Sequence, residues 1–226
     1  MRLLDEEEDC NAEGVSQEVQ FYLEIARTTD AEILADIRLH IEDILDEVRL
    51  VVSDYQPMLQ KAREILTSLP DISAGASELQ LAETSNFLNW MMQDNFTFLG
   101  FEELSASYQG PATVIEQVSG STMGLLKKFS SSGQNDFSRE LARPPVKKTQ
   151  PFENQLKFCK SGQRSRVHRL AYPDYIEIVK FDASGVVCGE YRFLGLFTSA
   201  VYSAPPTSIP IVRLKIDELL ERTGLK

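Results

Sequence analysis

The stretch that most constrains this chain runs from Tyr175 to Phe197. YIEIVKF and VVCGEYRFLGLF are two runs rich in β-branched and aromatic residues, separated by Asp182-Ala183-Ser184-Gly185. Asp and Gly supply the conformations a tight turn needs, so the pattern predicts a β-hairpin. Phe96–Leu104, Gln155–Cys159 and Arg166–Leu170 have strand composition as well. Around them lie helical patterns. Ser77-Glu78-Leu79-Gln80 reads as a capping box ahead of an apolar face ending near Gln93, and a helix over 209–223 carries Pro210 in its first turn and Gly224 at its end.

The N-terminal third is different in kind. From a capping box expected at Thr29-Asp30-Ala31-Glu32, apolar residues recur at spacings of three and four: Leu34, Ile37, Ile41, Ile44, Val48 and Val51, continuing through Tyr55, Met58, Ala62 and Ile65 to Leu69. This is a packing seam on a long helix. Residues 31–55 alone would extend about 37 Å at about 1.5 Å per residue, and Pro57 is expected to kink or restart the helix. A shorter helix is expected around Ser16–Arg27. The Pro- and Gly-containing segment from Leu69 to Ala76 is the expected boundary. It divides an acidic helical arm over 1–70 from an α+β domain over 77–226, with a variable insert near 105–151. In that domain an antiparallel sheet is covered on one face by the helices at 77–93 and 209–223.

Charge follows the same division. Residues 1–83 carry 20 Asp and Glu against 6 Lys and Arg, whereas residues 84–226 carry 14 against 17, for a net charge of −11 overall. The two portions are expected to attract each other or to separate partners within a larger assembly. The basic run from Arg139 to Arg169 holds nine Lys and Arg against two Glu, but few interleaved aromatics. In an acidic chain it reads as a docking surface for an acidic neighbour, and not as a nucleic-acid site. No apolar run reaches the roughly 18–20 residues that span a bilayer, and an acidic cluster stands where a signal peptide would need an apolar segment, so a cytoplasmic setting is expected. Cys10, Cys159 and Cys188 are odd in number and widely spaced, which disfavours a disulfide framework and a zinc site.

Catalytic chemistry is hard to assemble from these residues. No glycine falls in a G-x-G-x-x-G or P-loop pattern, and Gly120-Ser-Thr-Met-Gly124 with Lys127 and Lys128 is only an anion-nest candidate whose plainer reading is a turn. There are two histidines: His40 beside the helical seam, and His168 among Arg164, Arg166 and Arg169. An independent enzyme centred on His168 is the weakest reading. If the segment is extended, Arg164, Arg166 and His168 share a face and Arg169 lies opposite, forming an effector or docking surface. A small anionic effector such as an amino-acid carboxylate would suit it. No catalytic, cofactor-binding or metal-ligating residues are assigned.

One family resemblance covers most of residues 48–223. VHRLAYPDYI, the FD-x-x-G turn and GEYRFLGLFTSAVY, together with NFLNWMMQDNFTFLG, MGLLK and VSDYQPML, resemble the N-terminal, non-catalytic region of the large bacterial-type NAD-specific glutamate dehydrogenases. Residues 1–30 lie outside it. The resemblance implies an ACT-like regulatory domain, and the residue pattern leaves a PAS-like sheet equally open. It further implies a regulatory or assembly role in an oligomeric parent enzyme, with NAD bound by the parent and no cofactor in this segment. The partners expected are the parent's other domains, a second subunit and an amino-acid effector, without nucleic acid or membrane. The rival reading is a free-standing sensor that holds a small ligand on the same sheet.

Overall fold

The computed structural model describes residues 22–109, 112–131 and 155–224. Cys10, residues 16–21 of the segment expected as a short helix, residues 132–151 of the insert and residues 139–154 of the basic run lie outside them, and residues 22–27, also expected in that helix, are not helical. By internal contacts the chain forms two units, Met1–Arg38 and Leu39–Lys226. In the first, residues 22–30 have no regular structure and helix α1 (Ala31–Ser68) begins. Its cap is Asp30 and not Thr29: the Asp30 carboxylate accepts from the backbone N–H of Glu32 at 2.9 Å and of Ile33 at 3.3 Å. Leu34 is exposed and Ile37 half-buried.

In the second unit α1 runs uninterrupted through Pro57. The seam deepens along its length: Ile41, Ile44 and Val48 are half-buried, whereas Val51, Met58, Ala62, Ile65 and Leu69 are buried. Most of the helix expected as an arm therefore belongs to the compact body. The segment 69–76 is a short 3₁₀ turn (Leu69–Ile72) tied to the sheet. Ser73 Oγ donates to Gln155 Oε1 at 2.8 Å, and Gln155 Nε2 donates to the Val179 carbonyl at 3.1 Å. Small and turn-forming residues mark a change of direction here, while buried polar side chains hold the two sides together.

Helix α2 (Glu78–Trp90) starts at the expected Ser77/Gln80 capping box. It passes through a π turn (Met91–Asn95) straight into strand β1 (Phe96–Gln109), with left-handed Asp94 making the reversal. Strands β2 (Ala112–Gln117) and β3 (Met123–Gly124) pair with β1, and helix α3 (Leu125–Ser131) follows. Then come β4 (Leu156–Lys160) and the hairpin, β5 (Asp174–Phe181) and β6 (Val187–Phe197). A short helix α4 (Ser199–Ser203) leads toward α5 (Val212–Thr223), which ends at left-handed Gly224.

The sheet order is β2-β1-β6-β5-β4, with β3 on β1, and every strand pairing is antiparallel. This is the antiparallel α+β sheet expected, with β1–β2 and β4–β5–β6 each joining sequence neighbours.

Both sheet faces are packed. On one, Phe98, Phe101, Ile176, Ile178 and Phe193 meet Met58, Ala62 and Ile65 of α1 and Phe87 and Leu88 of α2. On the other, Leu99, Tyr175, Leu194 and Leu196 meet Val51, Leu125, Leu126 and Val167. Helix α1 thus enters both layers. Helix α5 contributes no buried side chain, because charged residues interrupt its apolar positions.

Candidate functional site: two charge clusters

The basic segment before the hairpin is not a strand. Between Ser161 and Pro173 the chain makes bends closed by a single bridge, Ser165 to Ala171, and His168 is exposed with φ of 68°. Serine side chains that bond their own backbone shape the loop: Ser161 Oγ accepts from Gln163 N at 3.0 Å, and Ser165 Oγ accepts from Val167 N at 3.1 Å. The four residues expected on shared strand faces consequently diverge. Arg164 stacks over Tyr172 with its guanidinium carbon 5.0 Å from the ring centre. Arg169 donates to the Phe197 carbonyl at 2.8 Å and lies 5.7 Å over the Tyr202 ring. His168 joins neither.

Arg166 turns the other way, onto α1. Asp43 and Glu47 are four residues apart, hence on one helical face, and Arg166 Nη2 donates to both. Arg166 Nε reaches Glu47 Oε2 at 3.2 Å. Lys128 of α3 closes the cluster, donating to Asp43 and, at 2.9 Å, to Glu47. Hydrogen bonds from Lys128 and then Arg166 hold the Asp43 carboxyl down at about 2. Glu47 raises the Arg166 guanidinium, with Asp43 adding to the effect. Burial pulls the Lys128 ammonium down, but its bonds to Asp43 and Glu47 leave it raised overall. The acidic surface that Arg166 docks on is therefore the chain's own helix.

The anion nest is filled in the same way. Gly124 N donates to Asp54 Oδ2 at 2.7 Å, and Lys127 Nζ pairs with the same oxygen at 2.7 Å. Only glycine serves at 124: φ is +59°, and a Cβ there would lie 2.2 Å from the Leu99 carbonyl oxygen. About two turns of α1 beyond Glu47, the helix is thus pinned to the β3–α3 junction.

The second cluster lies within the sheet. Register pairs Glu102 with Arg192, Glu177 with Arg192, and Val179 with Glu190, which puts all three carboxylates and the guanidinium on the face of Tyr175 and Leu194. All four are buried. Arg192 pairs with Glu190 through Nη2 and lies 3.6 Å from Glu102 and 3.6 Å from Glu177. Gln117 Nε2 donates to Glu102 at 3.0 Å, and the Cys159 thiol approaches Glu177 at 3.6 Å. Burial pushes the Glu190 carboxyl up, against the pull of Arg192. Burial also pushes the Cys159 thiol to about 11, aided by Glu177. Sequence reasoning missed this layer. Its trace is there: Glu177, Glu190 and Arg192 interrupt otherwise apolar strands, and charged residues are fully buried almost only when paired.

The one thiol beside a carboxylate in these clusters, Cys159 at Glu177, is pushed up to about 11, away from its reactive thiolate, and neither cluster includes a histidine. Among the described residues no group of His, Cys, Asp and Glu could hold a metal ion. Nor is any helix among them long and apolar enough to cross a membrane.

No family model matches the chain. Curated relatives do. A protein of Pseudomonas aeruginosa named NAD-specific glutamate dehydrogenase is 37% identical over 216 residues, covering 93% of this chain. Over nearly its whole length this chain is similar to one segment of that dehydrogenase. A protein of that name from Halomonas elongata is 32% identical over 203 residues and covers 89% of the chain, and one from Mycobacterium tuberculosis is 22% identical over 213 residues. The chain spans only 12–13% of the length of these dehydrogenases.

Proposed function

We propose that this chain is a non-catalytic segment of a large NAD-dependent glutamate dehydrogenase, placed toward its N-terminus and serving assembly or regulation. The observation that carries the reading is the mismatch of coverage: relatives match 89–93% of the chain, while the chain spans 12–13% of them. The greater part of the parent's length is left to bind NAD and convert L-glutamate and water to 2-oxoglutarate and ammonia as NAD is reduced. The parent is a cytoplasmic oligomer in this reading, and an amino-acid effector acts through the segment. The arrangement of charge supports a structural task. Arg166, Lys127 and Lys128 are spent on clamping α1 to the sheet body, which suits a rigid element that transmits force or position. Arg192 is likewise engaged within the sheet, by Glu190, Glu102 and Glu177.

Calorimetry with NAD and a glutamate-dependent NADH assay test the proposal on the isolated chain. No saturable binding and no turnover are expected; either one overturns the non-catalytic assignment.

A further inference from the structure

A groove of about 1150 Å³ runs between α2 and α5 over edge strand β4. Its apolar lining includes Leu79, Leu156, Phe158 and Leu214, and much of that surface faces solvent: Leu79 is 60% exposed and Phe158 46%. Single exposed apolar side chains are ordinary; a lined groove of them is a contact site awaiting a partner. The volume lies above the roughly 300–1,000 Å³ of small-ligand pockets, and the walls are two helices, which is the shape that accepts a third helix.

Charge selects the occupant. The lining holds four carboxylates, Glu83, Asp217, Glu218 and Glu221, against one cation, Lys215. Glu83 anchors α5, accepting from the Ile211 backbone N–H at 3.2 Å and pairing with Arg213, whereas Glu218 stands at the surface, its side chain 64% exposed and 3.7 Å from Lys215. An apolar floor with an acidic rim complements a helix having an apolar stripe flanked by Lys or Arg, and it repels an acidic one. We infer that the α2–β4–α5 groove docks a basic amphipathic helix. The inference goes beyond the assembly reading, since it specifies the chemistry of a partner whether or not the chain works within a dehydrogenase.

The test uses the 226-residue chain and a fluorescein-labelled synthetic peptide of about four turns, with Leu at i, i+3, i+4 and i+7 and Lys elsewhere. Fluorescence anisotropy should give saturable one-to-one binding. Replacing both Leu79→Ser and Phe158→Ser, which leaves net charge unchanged, should weaken it at least about tenfold, and so should Glu218→Lys, which touches only the rim. A peptide with Glu in place of Lys should not bind. The inference is overturned if a scrambled peptide of the same composition binds equally well, or if the double variant, folded by circular dichroism, binds unchanged. It also fails if the chain alone sediments as a dimer that Leu79→Ser and Phe158→Ser dissociate, since a second copy would then be the occupant.

Discussion

Replacing Glu47 by Gln is the sharpest probe of the clamp between α1 and the sheet body. The substitution keeps volume and one acceptor oxygen while removing the charge that faces Arg166 and Lys128. Glu47 has a side chain 8% exposed, whereas Arg166 and Lys128 are 30% and 33% exposed. Breaking a buried pair costs about 3–5 kcal/mol, and losing an exposed one about 0–1 kcal/mol. Glu47 lies between these limits, because Asp43 still neutralises part of the two cations and water reaches them. A loss of about 2 kcal/mol follows, which for a body of this size lowers Tm by about 4–8 °C. Asp43→Asn should cost less than about 1 kcal/mol, since that carboxylate is 44% exposed. Calorimetric melting and urea titration of both variants, with Arg166→Met to complete a double-mutant cycle, measure the difference. If Glu47→Gln loses no more than Asp43→Asn, or couples to Arg166→Met by nothing measurable, the clamp is a surface pair and the reasoning fails.

Acid should release the same cluster: the folded Asp43 value of about 2 lies below the usual 3.8. Its contribution is therefore complete above about pH 4 and lost as pH falls toward 2, a loss that Arg166→Met should reduce in pH-dependent melts. Met58→Ala, at a fully buried position, should cost about 2–5 kcal/mol, whereas Leu34→Ala, 43% exposed, should shift stability by no more than about 0.5 kcal/mol; equal effects would contradict the gradient along the seam. Gly124→Ala should disrupt the β1–β3 contact and the Asp54 bond together, seen as a destabilised fold by denaturant titration. The Cys159 thiol, held at about 11, should alkylate slowly at pH 8 and accelerate only above about pH 10; rapid reaction at neutral pH would refute the desolvation that, with Glu177, raises it.

The local elements were largely legible because each has its own signal. The Asp182–Gly185 turn lies between β-rich runs, Ser77 and Gln80 form a reciprocal cap, and Gly224 sits where a helix must end. What the chain does with these elements was less legible. Composition separates an acidic N-terminal third from a basic remainder, yet the two are joined through Asp43, Glu47 and Asp54, whose partners lie 70 or more residues away. Spacing within a strand likewise placed Arg164, Arg166 and His168 on one face. The Ser161 and Ser165 side chains replace the extended backbone with bends, so that arrangement never forms. The buried layer at Arg192 depends on cross-strand register, which only the assembled sheet supplies.

Helix α1 places Val51 in one apolar layer and Met58 in the other, and between them Asp54 grips the edge of the sheet. A rod held on both sides of a plate behaves as a lever on a fulcrum. Torque on its residue-39 end presses one layer while lifting the other, and close-packed interiors shift between discrete arrangements more readily than they deform. A push on this helix would thus reach both sheet faces at once, and neither could open alone.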